Sequence, residues 1–194
     1  SGWGVFGRRY DGSGNSIGGE FPVNTTTTNN QLDATIAMNA TGEFVVVWSS
    51  TAAPAGLYGQ RFDQSGNAVD GEFQITPPSG YSQDDPVVAM NDSGSFVVAW
   101  RDWGQDGNLG GIFAQAYDAS GNAVGSVVQA NTYTTNWQQT PAVAIDNGGN
   151  FVVAWESLGQ DGSDYGVYAR RFDATGTPLD GEFQVNTTTG VIQS

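Results

Sequence analysis

Two segments bring chemically capable residue types together at short spacing. Asp102 to Asn108 and Glu156 to Asp164 share the tetrapeptide Gly-Gln-Asp-Gly. Asp-Gly followed by Asn or Asp sets side-chain and carbonyl oxygens close together, as a hard cation requires. Asp106, Asn108, Asp161 and Asp164 are therefore candidate Ca²⁺ ligands, with a plain turn as the other reading, because the longer ligand pattern of an EF-hand loop is missing. Trp103, Trp137, Tyr81 and Tyr133 lie outside every apolar run, in loops that also carry Asp102 and Glu156. Rings stack on sugar faces and carboxylates accept sugar hydroxyls, so these six residues form a candidate glycan surface. The competing reading of the same loops is packing between repeats or between chains. Asp102 and Glu156 are also the pair that acid–base cleavage of a polysaccharide could use.

What is missing bounds the rest. The 194 residues contain no Cys, no His and no Lys, and the six basic residues, all Arg, face 20 acids, for a net charge of -14. Disulfides, Cys/His zinc sites, a His base, a Cys nucleophile and a Lys Schiff base are all excluded. Such a balance argues against nucleic acid as a partner, since little could displace counterions from a phosphate backbone. No apolar run is long enough for a membrane helix. Without an initial Met or a signal peptide, the sequence reads as a mature or excised piece.

The elements that must position these residues are repeats. Phe44-Val-Val-Val-Trp48 returns as Phe96-Val-Val-Ala-Trp100 and Phe151-Val-Val-Ala-Trp155. A second block returns at Asp11, Asp63, Asp118 and Asp173, at intervals of 52, 55 and 55 residues. Each unit reads as two hairpins, strands a–b and c–d, with Asn, Asp, Ser and Gly at the turns. No stretch carries a helical apolar stripe, so the chain is all-β. Strand b is apolar at every position and must be covered on both faces. A four-stranded antiparallel sheet covered on both faces and repeated describes blades of a β-propeller, with a stacked sandwich as the alternative. One repeat domain spans 1–194, divided into a c–d half blade at 1–30 and blades at 31–82, 83–137 and 138–194. On strand parity, the b–c loops and d–a connections share one rim, where Asp84 and Asp85 join the aromatic residues.

Two further sets follow from the repeat. Arg9, Arg61 and Arg171 precede the turn Asp, and Glu20, Glu72 and Glu182 follow it; in the remaining unit both positions are uncharged, as Ala116 and Val127. Joint loss is the pattern expected of cross-strand ion pairs. The turn acids Asp11, Asp63, Asp118 and Asp173 suit Asx-turns better than a metal. The half blade and the end of the last unit predict an assembly with other copies or with missing blades of a longer chain.

The blocks Phe-Val-Val-Ala-Trp, Gly-Gln-Asp-Gly, Ala-Arg-Arg-Phe-Asp and Gly-Glu-Phe-Gln-Val-Asn-Thr resemble repeats of large secreted or surface proteins of bacteria, which often carry RTX-type calcium modules. The resemblance implies an extracellular, adhesive setting. The leading expectation is a non-catalytic extracellular binding or adhesion module, glycan-binding and calcium-stabilised. A self-associating structural array is the first alternative, and a polysaccharide-degrading enzyme the second.

Overall fold

The computed structural model describes residues 2–76, 80–162 and 164–187. A two-stranded sheet of β1 (Phe6–Tyr10) and β2 (Ser16–Pro22) comes first. Three four-stranded antiparallel meanders follow. They are β3 (Gln31–Met38), β4 (Phe44–Ser50), β5 (Gly56–Phe62) and β6 (Ala68–Gln74); then β7 (Gln83–Met90), β8 (Phe96–Asp102), β9 (Gly111–Tyr117) and β10 (Ala123–Gln129); then β11 (Gln138–Ile145), β12 (Phe151–Leu158), β13 (Tyr165–Phe172) and β14 (Phe183–Gln184). Strand a of one blade packs beside strand a of the next, β3 on β7 and β7 on β11, so these strands form the inner edge.

The turn chemistry does what the residue types predict. At the β5–β6 turn, Asp63 Oδ1 accepts the amides of Ser65 and Asn67, each at 2.8 Å, and Oδ2 accepts Asn67 Nδ2 at 2.9 Å. Asp11 and Asp118 make the same Asx-turn, and Asp173 makes it with Thr175 and Thr177. These bonds favour the ionised form and hold all four carboxyls below the ordinary Asp value.

The core lies between blades rather than within one. Phe96, Val98 and Trp100 of β8 join Val45 and Val47 of β4, while Val97 and Ala99, on the other face of β8, join Phe151, Val153 and Trp155 of β12. Period-two alternation thus gives strand b two apolar faces because it has two neighbours. At the end of the array β12 alternates between buried and half-buried residues, since only one face is covered. Each complete blade also stacks the Phe of strand b on the aromatic of strand c: Phe44–Phe62 at 4.7 Å, Phe96–Tyr117 at 4.7 Å and Phe151–Phe172 at 4.9 Å.

The Arg–Glu pairs of Arg9 with Glu20, Arg61 with Glu72 and Arg171 with Glu182 are not what forms. A β-bulge between Gly59 and Arg61 places Arg61 opposite Val69, so Asp70, at 3.3 Å, takes the role expected of Glu72. Arg171 likewise pairs with Asp180. The main partners of Arg61 and Arg9 lie on the following blade. Arg61 donates to the carbonyls of Ala119 and Ser120 at 2.7 and 2.6 Å, and Arg9 to those of Gln64 and Ser65. The Glu residues reach the other way. Glu72 accepts from the amide and hydroxyl groups of Thr25 and Thr26, on the connection before its own blade, and Glu182 accepts from the Thr132 amide. Glu20 is exposed on β2.

Candidate active site

Every inner strand carries the same irregularity near its start. The ladder slips between Leu32 and Thr35, between Asp84 and Val87, and between Gln139 and Ala142. Within each slip one residue is left-handed: Asp33 (φ 53), Asp85 (φ 49) and Thr140 (φ 52). A bulge turns a side chain out of the ladder and ends regular pairing, as happens beside active sites. Three adjacent blades therefore set Asp33, Asp85 and Thr140 at equivalent inner-edge positions, on the rim of the b–c loops.

Arg101, near the end of β8, organises the middle blade. Its Nε and Nη2 bind both oxygens of Asp84, at 2.8 and 3.0 Å, and Nη2 reaches Asp85 Oδ2 at 2.9 Å. The guanidinium lies over the Trp103 ring, 4.8 Å from its centroid, and Trp103 Nε1 donates to Asp84 Oδ2 at 2.8 Å. Trp137 meets Trp103 in a T-shaped contact, with centroids 4.8 Å apart. Tyr81 packs against Gly104 of the same loop. In the next blade Glu156 stands where Arg101 stands here. Its Oε2 accepts from Gln139 Nε2 at 3.1 Å and from the Thr140 hydroxyl at 3.2 Å.

Burial pushes the Asp85 carboxyl above the ordinary Asp value; the Arg101 charge pulls it down, and Asp84 and Asp33 push it up again. Burial also works against the Arg101 charge, but the hydrogen bond and charge of Asp84, with the charge of Asp85, more than offset it. One rim thus holds a carboxyl biased toward its protonated form, a second carboxylate on the neighbouring blade, a fixed cation and an aromatic pair with Trp103 36% exposed.

Of the residues expected in a glycan surface, Trp103, Trp137, Tyr81 and Glu156 stand on this rim. Asp102 does not belong there. It is fully buried, with its carboxylate accepting Gln83 Nε2 at 3.0 Å and the Gln105 amide at 3.2 Å, so it braces the loop and can meet no ligand. The Tyr133 carbonyl accepts Asn131 Nδ2 at 3.0 Å in the β10–β11 connection. Of the expected Ca²⁺ ligands, Asp106 and Asn108 are engaged within their own turn and Asp161 is engaged by β14. Asp106 Oδ1 accepts the Asn108 amide at 3.1 Å, Asn108 Oδ1 the Leu109 amide at 2.8 Å, and Asp161 Oδ2 the Gln184 side-chain amide at 3.0 Å. Asp164 is exposed, and its carbonyl accepts the Gly159 amide at 2.9 Å. Among the described residues, no group of three or more acidic side chains comes together that could hold a metal ion. Asp33, Arg101 and Thr140 were not foreseen. The signal available was phase: Asp33, Asp85 and Thr140 follow the inner-strand Gln by two residues in every repeat.

No protein-family model and no curated protein matches the chain by sequence. Solved structures do match its shape. An α-L-arabinanase of Penicillium chrysogenum superposes with a TM-score of 0.57 at 15% identity, over 91% of this chain and 56% of that one. An endo-arabinase of Bacteroides thetaiotaomicron gives 0.54 at 15% identity, over 86% and 66%. A thermostable family-43 glycoside hydrolase gives 0.51 at 14% identity, over 83% and 55%. The chain folds as propeller blades. It spans between about half and two-thirds of the length of these enzymes. The expectation of a non-catalytic binding or adhesion module is corrected by this set, because the structures that share the fold are arabinan-cleaving enzymes and a glycoside hydrolase rather than adhesion proteins.

Proposed function

We propose that this blade array belongs to a polysaccharide-degrading enzyme that cleaves glycosidic bonds by acid–base catalysis at the Asp33–Asp85 rim. The reading is carried by Asp85, a carboxyl pushed up by burial and by the charges of Asp84 and Asp33 at a left-handed bulge of an inner strand. Glycoside cleavage needs two carboxyls in different protonation states on either side of the scissile bond. Asp85, whose carboxyl burial pushes toward the acid form, gives a proton to the leaving-group oxygen as the bond to the sugar carbon breaks. Asp33, one blade away, takes a proton from the water that attacks the same carbon. Trp103, steadied by Asp84 and Arg101, supplies a ring face for a sugar unit. The arabinan-cleaving enzymes that share the fold make arabinan the first substrate to try.

The test is reducing-sugar release from linear arabinan, xylan and galactan. Asp85→Asn should lower kcat by about 10²-fold or more, in line with loss of a general acid, while Trp103→Ala should act mainly on KM. The rate should fall as pH rises through the raised pKa of Asp85, where the acid form is lost. Wild-type rates in both Asp85→Asn and Asp33→Asn, or no turnover of any of the three glycans, would overturn the proposal.

A further inference from the structure

A groove of about 560 Å³ runs between the two-stranded sheet and the first complete blade. Its walls include Phe6, Tyr10 and Ile17 on one side, and Ile36, Met38 and Phe44 on the other. Five of these six are large apolar or aromatic side chains left exposed, at 60, 59, 45, 61 and 65% for Phe6, Tyr10, Ile17, Ile36 and Met38. Contiguous exposure on this scale marks a surface that something covers.

The repeat specifies what that is. β1 and β2 stand in the phase of strands c and d, since Arg9-Tyr10-Asp11 repeats as Arg61-Phe62-Asp63. In complete blades strand c pairs on both edges; β1 pairs on one, with β2. The free edge of β1 faces the place where an a–b hairpin would lie. Phe62, Tyr117 and Phe172 each stack on the Phe of strand b within 4.9 Å, and Tyr10 is the fourth member of that set, without its ring partner in the described structure. Tyr58, Phe113 and Tyr168 each lie opposite the Trp of strand b, and Phe6 holds their position. The inner wall, Ile36 and Met38 of β3, matches the surface that β7 presents to its own neighbour.

We infer that the groove is the receptor for one further a–b hairpin of this repeat, docked by strand addition to β1, with a Phe over Tyr10 and a Trp, four residues on, over Phe6. Main-chain pairing supplies affinity in such docking, and alternate side-chain pockets supply register. Among the described residues, β3–β4, β7–β8 and β11–β12 are each taken up by their own blades, so a second copy would have to give one of them up to fill the groove. The occupant is therefore an a–b hairpin of this repeat's sequence that none of these three blades gives up.

The probe is a synthetic peptide of residues 83–102, the β7–β8 hairpin of this chain, added to the intact protein. Saturable binding is expected, with slower amide exchange along β1 and a melting temperature raised by roughly 5 °C or more at saturation. Phe96→Ser and Trp100→Ser in the peptide should each weaken binding by at least tenfold, as should Tyr10→Ala in the protein. Because a free hairpin can aggregate, the same peptide joined ahead of Ser1 by a flexible Gly/Ser linker gives a second readout, with the same rise expected in melting temperature. No rise in either format would overturn the inference. So would β1 amides already protected in a dimer of the chain alone, since a second copy would then be the occupant.

Discussion

Arg61 and Glu72 show how a single residue can be legible in type and misread in partner. Their joint absence from the third c–d hairpin suggests one bond, but two separate contacts are lost there. Arg61 reaches forward to carbonyls of the next blade; at the equivalent place Gly125 (φ +68) approaches so closely that an added Cβ would overlap the Thr175 carbonyl. Glu72 reaches back to the amides of Thr25 and Thr26, and at the matching connection the sequence reads Pro77-Pro78, neither of which has an N–H to give. A double-mutant cycle on Arg61→Ala and Glu72→Ala should therefore be additive within about 0.5 kcal/mol. Arg61→Ala with Asp70→Ala should couple by roughly 0.2–1 kcal/mol, as exposed pairs do. Denaturant unfolding measures both. The turn acids make a second prediction. Their carboxyls lie lower in the folded chain than in the unfolded one, so their stabilisation is complete above the unfolded pKa and fades as pH falls through the folded one. Melting temperature should drop on acidification below about pH 4, and Asp63→Asn should lessen the slope of that drop.

Strand b was the most readable element and the inner strand the least. An unbroken apolar run such as Phe96 to Trp100 has one physical solution, burial on both sides, and β8 meets it. Trp100→Ala should cost about 3–5 kcal/mol, the range for emptying a large aromatic site, whereas the exposed Trp3 should tolerate the same change almost without loss. An unfolding midpoint as low in Trp3→Ala as in Trp100→Ala would contradict this division. Strand a begins earlier than its apolar run suggests, at Gln83 rather than Pro86, because the ladder continues past a bulge that polar residues occupy. Periodicity is blind to a residue that leaves the ladder, and Asp33, Asp85 and Thr140 are such residues. The aromatic rim was visible in composition, while its organiser, Arg101, was not. Arg101 lies in register with Ser49 and Glu156, so nothing in the repeat singled out the charge.

Across the whole molecule, a net charge of -14 sits on a body in which Arg9 and Arg61 are held at blade junctions and Arg101 in its own cluster. Self-repulsion of that size destabilises a compact state, and salt screens it. Raising NaCl from about 10 mM to about 150 mM, which shortens the screening length from roughly 30 to roughly 8 Å, should raise the melting temperature; a fall would mean that the Arg contacts outweigh the repulsion. The junctions carry one more property. Arg9 and Arg61 both donate toward the later blade, and Glu72 and Glu182 both accept from the earlier one. Each junction therefore has a donor side and an acceptor side that are different surfaces, so it has polarity. A two-fold axis brings like to like, setting guanidinium against guanidinium and turn carbonyl against turn carbonyl, and cannot reproduce this contact. A repeated head-to-tail operation, a rotation or a screw in one sense about a common axis, can, and blades of this kind extend one another in that way.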